Sequence, residues 1–163
     1  MDFFKSLTTK SLTILYALSL DKSQSLTYTI DSTKYSIMYL GGVMLKIVIG
    51  GQMDKQVIAN LITQLCNGTA EVSIKSDIEA AIAVQTNQAQ YYFGACATGA
   101  GGALAMAIGL IGPQSCVSVS IPGRVFGEGE LREAVRSGKK AFGFVNYDAE
   151  KVIPVLLDEI LKK

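Results

Sequence analysis

From residue 44 onward the chain alternates short, continuously apolar runs with segments of helical periodicity, and that alternation limits the folds open to it. Residues 45–49 read as a buried strand entering a glycine turn at Gly50-Gly51-Gln52. Residues 53–66 then place Val57, Ile58, Leu61, Ile62 and Leu65 on one helix face. Residues 71–75 alternate as a second strand. Ser76-Asp77-Ile78-Glu79 has the Ser-x-x-Glu form in which each end satisfies an orphan helix amide, so a helix over 78–84 follows. A third strand is predicted at 91–95 and an apolar helix at 103–111, ended by Gly112-Pro113. A fourth strand falls at 116–120, a helix at 128–136 stopped by Gly138, and a fifth strand at 140–145. An amphipathic helix over 148–161 closes the chain, with Pro154 either kinking it or marking its first turn.

Five strands nearly continuous in apolar residues, each followed by a helix, predict a parallel sheet covered on both faces. Right-handed crossovers then give a three-layer, doubly wound α/β domain, flavodoxin-like or Rossmann-like, spanning residues 44–163 without an interdomain linker.

Residues 1–43 have a different character. They are rich in Ser, Thr and Tyr, carry no glutamate, and contain glycine only at Gly41 and Gly42. Residues 12–20 resemble a signal-peptide core but include Thr13, Tyr16 and Ser19, and they are too short to span a bilayer. Two glycine codons just upstream of Met44 can spell a purine-rich ribosome-binding sequence. The expectation is that Met44 is the native start and residues 1–43 a non-native or disordered, poorly packed leader; a genuine extension is the alternative. Intact mass of the protein from its own host decides between them.

Composition removes several chemistries. Fifteen basic residues balance 14 acidic ones, so no field favours nucleic acid. Histidine is absent, which excludes Ser-His-Asp and Cys-His catalysis and histidine-ligated zinc from this chain. The three cysteines, Cys66, Cys96 and Cys116, form no CxxC pair, so neither a disulfide framework nor a thiolate metal site is indicated. The expected setting is the cytoplasm, with no metal, no cofactor and no membrane insertion.

In a doubly wound sheet, ligands sit outside the carboxyl ends of the strands. The richest such loop is Gly94-Ala95-Cys96-Ala97-Thr98-Gly99-Ala100-Gly101-Gly102-Ala103. Glycines let backbone amides approach a ligand, and the following helix start adds unpaired amides and a positive dipole end. Gly99, Ala100, Gly101 and Gly102 are therefore the candidate anion-binding residues, with Gly51 facing the same crevice. A thiol beside that helix start has its thiolate favoured, making Cys96 a candidate base or nucleophile with Thr98 as its hydroxyl neighbour. The competing reading is packing alone: glycines permit a tight strand-to-helix junction, and buried cysteines are commonly inert. Cys66 and Cys116 read as core. Arg124, after the fourth strand, is a candidate clamp for a phosphate or carboxylate, or simply a surface arginine. Arg132 and Arg136 read as solvated, and Asp54, Asp77 and Asp148 as helix caps. No GxGxxG is present, so dinucleotide binding is not indicated.

Residues 44–163 resemble the YhfU-like family of uncharacterised bacterial proteins, chiefly through Tyr-Tyr-Phe-Gly-Ala-Cys-Ala-Thr-Gly-Ala-Gly-Gly-Ala-Leu at 91–104. Asp77-Ile78-Glu79-Ala80-Ala81 and Lys140-Ala141-Phe142-Gly143 fit it as well. The strand, cysteine and glycine-loop arrangement is also similar to glycine-rich SFCGS proteins. More distantly, Cys96-Ala97-Thr98-Gly99-Ala100-Gly101 resembles the Cys-Gly-Thr-Gly-x-Gly of B-type ribose-5-phosphate isomerases and galactose-6-phosphate isomerase subunits. That likeness implies Cys96 as a base moving a proton between adjacent carbons, Thr98 as its assistant, and Gly99, Gly101 and Gly102 holding an enediolate oxygen. It also implies a homodimer. Those isomerases carry Asp-His after the first strand, where this chain has Gly51-Gln52-Met53-Asp54, so ordinary ribose-phosphate isomerisation is not expected.

Three functions follow. The first is binding of a small phosphorylated or carboxylated metabolite, as a non-catalytic, regulatory or transport-associated subunit. The second is isomerase-like proton transfer by Cys96. The third is a phosphocarrier resembling the sugar-transport IIB domains, with Cys96 as phosphocysteine, although their cysteine follows the first strand.

Overall fold

The structure, a computed structural model, describes residues 12–16, 25–31, 34–40 and 44–162. It divides into two units, Met1–Val43 and Met44–Lys163. In the first, β1 (Leu12–Tyr16), β2 (Ser25–Asp31) and β3 (Lys34–Leu40) form an antiparallel sheet in that order, with Asp31 opposite Lys34. These strands were not expected from the sequence. The packing expected of this leader lies outside the described residues.

The second unit is the predicted α/β domain. Its chain order is β4 (Leu45–Gly51), α1 (Lys55–Cys66), β5 (Ala70–Ile74), α2 (Asp77–Gln85), β6 (Tyr91–Cys96), α3 (Gly101–Ile111), β7 (Cys116–Ser118), β8 (Ser120–Ile121), β9 (Arg124–Val125), α4 (Glu128–Arg136), β10 (Ala141–Val145) and α5 (Ala149–Ile160). Five strands form one parallel sheet in the order β5-β4-β6-β10-β7. The last strand made is thus inserted beside the third.

The sheet has two unlike cores. On one face α1, α4 and α5 cover Ile47, Ile49, Phe93, Phe142 and Phe144. On the other, α2 and α3 bring Ala80, Ala81, Ala83, Val84, Leu104 and Ala107 against Val48, Tyr92 and Ala141. Small residues on the second face let its helices lie close to the sheet.

Several local expectations need correction. The fourth strand stops at Ser118, and the chain then makes the β8–β9 hairpin, with Pro122 and Gly123 in its turn and Gly123 at φ +81°. That is the conformation a type II turn requires of its third residue. β4 continues through Gly50 and Gly51 rather than ending before them. Pro154 lies inside α5. The Ser76–Glu79 capping box is present in both directions, as expected.

The aspartates do not cap. Asp54 adopts φ +53° at the start of α1 with no side-chain capping bond, and its carboxylate accepts from Asn146 Nδ2 at 2.7 Å. Asp77 lies within the first turn of α2, where Lys55 Nζ stands 3.7 Å from its Oδ1. Asp148, 2% exposed, accepts from Ser120 Oγ at 2.6 Å and Lys151 Nζ at 3.1 Å. Nor are Arg132 and Arg136 simply solvated. Both reach from α4 to Glu159 of α5, at 3.3 and 2.7 Å, and Arg132 also binds Asp158. The largest effect holding the Glu159 carboxyl below its ordinary range is the Arg136 hydrogen bond.

Candidate functional site

β4 and β6 are neighbours, yet the helices that follow them leave to opposite faces: α1 to the aromatic core, α3 to the alanine-rich one. Such a reversal opens a crevice at the carboxyl ends of the two strands. Gly51, at the end of β4, and the 96–102 loop, at the end of β6, flank it. Gly51 sits at φ +81° directly against Ala95, and a side chain there would overlap the Ala95 backbone. Past the turn, Gln52 and Met53 both donate their amides to the Ala95 carbonyl, at 2.8 and 3.2 Å.

Cys96 is the last residue of β6 and is 4% exposed. Its sulfur accepts the Gly99 amide at 3.1 Å and lies 3.5 Å from Thr98 Oγ1. Burial by itself raises this thiol. The Thr98 hydroxyl and the backbone amides of Thr98, Ala103 and Gly99 outweigh that effect, so the net shift is downward. Cys66 and Cys116 are buried without such donors, and desolvation pushes both up. They are the core cysteines the sequence suggested.

The helix start beside Cys96 is bare. α3 begins at Gly101-Gly102 after Ala100, and no side chain caps it. Gly101 is open, with Thr98 Oγ1 3.6 Å from where its Cβ would stand. Gly102 faces the Gln52 carboxamide, whose atoms lie 2.7–2.8 Å from the corresponding point, so Gln52 reaches over the first turn from the opposite wall. Gly99 is held at φ +72°, and any side chain on it would overlap the Ser120 carbonyl.

Tyr92 props this arrangement from below and was not singled out in the sequence. It is fully buried; its hydroxyl donates to the Ala103 carbonyl at 2.7 Å and accepts the Gly51 amide at 3.1 Å. One phenol therefore ties the end of β4 to the first turn of α3. Burial, followed by the charge of Asp77, holds that phenol protonated far above its ordinary range. The signal was a tyrosine within a buried strand, with Gly94 two residues on and Gly50 opposite, since Gly50 and Gly94 leave room for its ring.

Of the sequence candidates, Cys96, Thr98, Gly99, Ala100, Gly101, Gly102 and Gly51 come together around the crevice. Arg124 instead turns to Glu130 and Phe126. It lies on β9, exposed, 3.6 Å from Glu130 Oε1 and over the Phe126 ring at 5.7 Å. Two surface depressions, of about 400 and 380 Å³, lie elsewhere: one beside Lys46, Glu71 and Lys75, the other beside Leu45, Tyr91 and Lys140. Among the described residues no group of three or more His, Cys, Asp or Glu could hold a metal ion, and no helix is long and apolar enough to cross a membrane.

Residues 45–160 match the family described as "Protein of unknown function DUF2620". The uncharacterised proteins YhfU of Escherichia coli strain K12 and of Shigella flexneri are each 36% identical over 117 residues, covering 72% of this chain and 99% of the relative. The crystal structure of ribose-5-phosphate isomerase B from Giardia lamblia matches with a TM-score of 0.50 and 16% identity, over 73% of this chain and 88% of that one. At that identity the likeness is one of fold.

Proposed function

The chain belongs to the DUF2620 family of unknown function, and on that premise we propose that its domain binds a small phosphorylated or carboxylated metabolite at the crevice between β4 and β6. The observation that carries this reading is the start of α3 at Gly101-Gly102, which no side chain caps and which lies beside the Cys96 loop at the sheet's switch point. The Gly101 and Gly102 amides and the positive end of the helix dipole suit an anionic group there. Gln52 and Thr98 would supply neutral polar contacts.

A thermal-shift screen of the full chain against sugar phosphates and small keto and hydroxy acids tests the reading. Gly101→Val and Cys96→Ala run alongside. A ligand that stabilises the wild type and Cys96→Ala but not Gly101→Val supports anion binding at the helix start. No stabilisation by any compound, or equal stabilisation of Gly101→Val, sinks it.

A second reading is favoured by the hydrogen bonds that converge on the Cys96 sulfur. Held as a thiolate, Cys96 would take a proton from a carbon next to the substrate carbonyl. The α3 amides would hold the enediolate oxygen, the carbon proton would return to the former carbonyl carbon, restoring the thiolate, and the hydroxyl proton on the first carbon would pass to the other oxygen. Solvent-hydrogen exchange into a bound ligand that vanishes in Cys96→Ala is the expected signature. The phosphocarrier alternative predicts instead a labelled phosphate transferred to Cys96.

The assembly expected with either reading is a homodimer. Its support is the outer surface of α2 and α3, where Ile78, Ile82, Met106 and Ile108 are each two-fifths or more exposed. α3 contains no polar side chain at all, although a helix apolar all round is normally covered. Sedimentation of the full chain should give a dimer, and Met106→Glu with Ile108→Glu a monomer. A wild-type monomer at tens of micromolar would overturn this part.

A further inference from the structure

The loop that presents Cys96 is anchored from outside itself. Gly99 is bound through both of its backbone groups: its amide donates to Cys96 Sγ at 3.1 Å, and its carbonyl accepts from Ser118 Oγ at 2.9 Å. Ser118 is the last residue of β7, and its hydroxyl also approaches the Ser120 carbonyl at 3.3 Å. Ser120 in turn is fixed. It is 1% exposed, its hydroxyl donates to Asp148 at 2.6 Å, and it accepts the Val145 amide at 3.4 Å. The same Ser120 carbonyl occupies the space any side chain on Gly99 would need. β7 thus offers a rigid wall with one hydroxyl aimed at the loop.

We propose that Ser118 is the positioning residue of the Cys96 thiol: by holding the Gly99 carbonyl it fixes the left-handed backbone angles of Gly99, and through them the direction of the Gly99 N–H toward the sulfur. The inference rests on the reading of Cys96 as a working thiolate. Ser118 touches neither the sulfur nor the crevice ligand's helix start; it acts through Gly99. Without its hydroxyl the Gly99 carbonyl loses that partner, the Gly99 backbone angles are released, and the amide bond to the sulfur is weakened. The thiol then ionises at higher pH. The other titratable groups near the loop are Tyr92 on the same strand, its neighbour Asp77, Asp148 behind Ser120, and Asp54 bound to Asn146. α3 and β10 contain no titratable residue, and Cys116 at the far end of β7 is the only one on that strand.

The experiment measures the pH dependence of iodoacetamide alkylation at Cys96 by mass spectrometry of the full chain, with Cys66 and Cys116 as internal controls. Ser118→Ala should move the Cys96 midpoint upward by about one pH unit, roughly a tenfold loss of reactivity below the midpoint. Ser118→Thr, which keeps the hydroxyl, should restore the wild-type profile. Ser118→Val, of the same shape without it, should not. Thermal melts of all four proteins separate this from loss of fold, because Thr and Val differ only in the donor. If the Thr and Val variants titrate alike, the positioning role is overturned while the thiolate reading stands. If wild-type Cys96 shows no lowered midpoint relative to Cys66 and Cys116, the thiolate reading falls and this inference with it.

Discussion

The two faces of the parallel sheet are built from different materials. Under α1, α4 and α5 lie Phe93, Phe142 and Phe144 with a continuous set of branched side chains, and outside them Arg132 and Arg136 are tied to Glu159. Under α2 and α3 the core is mostly alanine and valine, with Tyr92 and Leu104 as its large members. Bulk on the first face buries more apolar area for each residue fixed, and so supplies more of the stability. Economy of volume on the second lets the Tyr92 hydroxyl reach the Ala103 carbonyl and brings the start of α3 beside Gly51. The difference shows a division of labour in which one face holds the domain together and the other places backbone at the crevice.

The strongest way to break this comparison is Phe142→Ala, which empties a fully buried aromatic site where Phe142 meets Phe93 at 5.4 Å between centroids. Urea denaturation should show a loss of about 3–5 kcal/mol. A loss below about 1 kcal/mol would mean that the aromatic face is not the main source of stability. Next comes Tyr92→Phe on the other face. It leaves the Gly51 amide and the Ala103 carbonyl without their partner and should cost about 1–3 kcal/mol, with amide exchange faster at the start of α3 than in α5. Uniform exchange in both helices would remove the special role given to the alanine-rich face.

Smaller effects sharpen the picture. Ser76→Ala deletes the capping box of α2 and should lower stability by about 1 kcal/mol, read as a drop in melting temperature. The α4–α5 clamp makes a pH prediction. The Glu159 and Asp158 carboxyls are held below their ordinary values of 4.5 and 3.8, by Arg136 and by Lys162 with Arg132 respectively. A depressed carboxyl stabilises fully above its unfolded value and loses that contribution as pH falls through its folded one. Melting temperature should therefore fall below about pH 4.5 more steeply in the wild type than in Glu159→Gln; equal slopes would show the clamp to be inert.

Much of this was legible in the residues. Helix α4 spans the residues its periodicity marked, and Ser76-x-x-Glu79 forms the cap its spacing promised. The Cys96 loop lies at a switch point because strand-helix alternation leaves few other places for it. What escaped was non-local. Strand order cannot be read from connections of similar length, so the insertion of β10 between β6 and β7 was invisible. Ser118, Ser120 and Asp148 acquire their partners only when β7, β8 and the start of α5 meet, 19 to 28 residues apart in the chain. The aspartates read as caps are instead drawn to Asn146, Lys55 and Ser120, partners that tertiary structure alone supplies. The β8–β9 hairpin was signalled by Pro122-Gly123, but Ser120, its first strand residue, was read as the end of the fourth strand.

The late placement of β10 also bears on how the domain is made. Synthesis delivers β7 long before β10, yet in the finished sheet β7 is bonded only to β10, and β6 reaches β7 only across it. A chain ending at α4 would therefore contain pairing partners for β5, β4 and β6 but none for β7. The wall that carries Ser118 is thus complete only when the last strand of the sheet is in place, and the Cys96 loop owes its outer anchor to that strand.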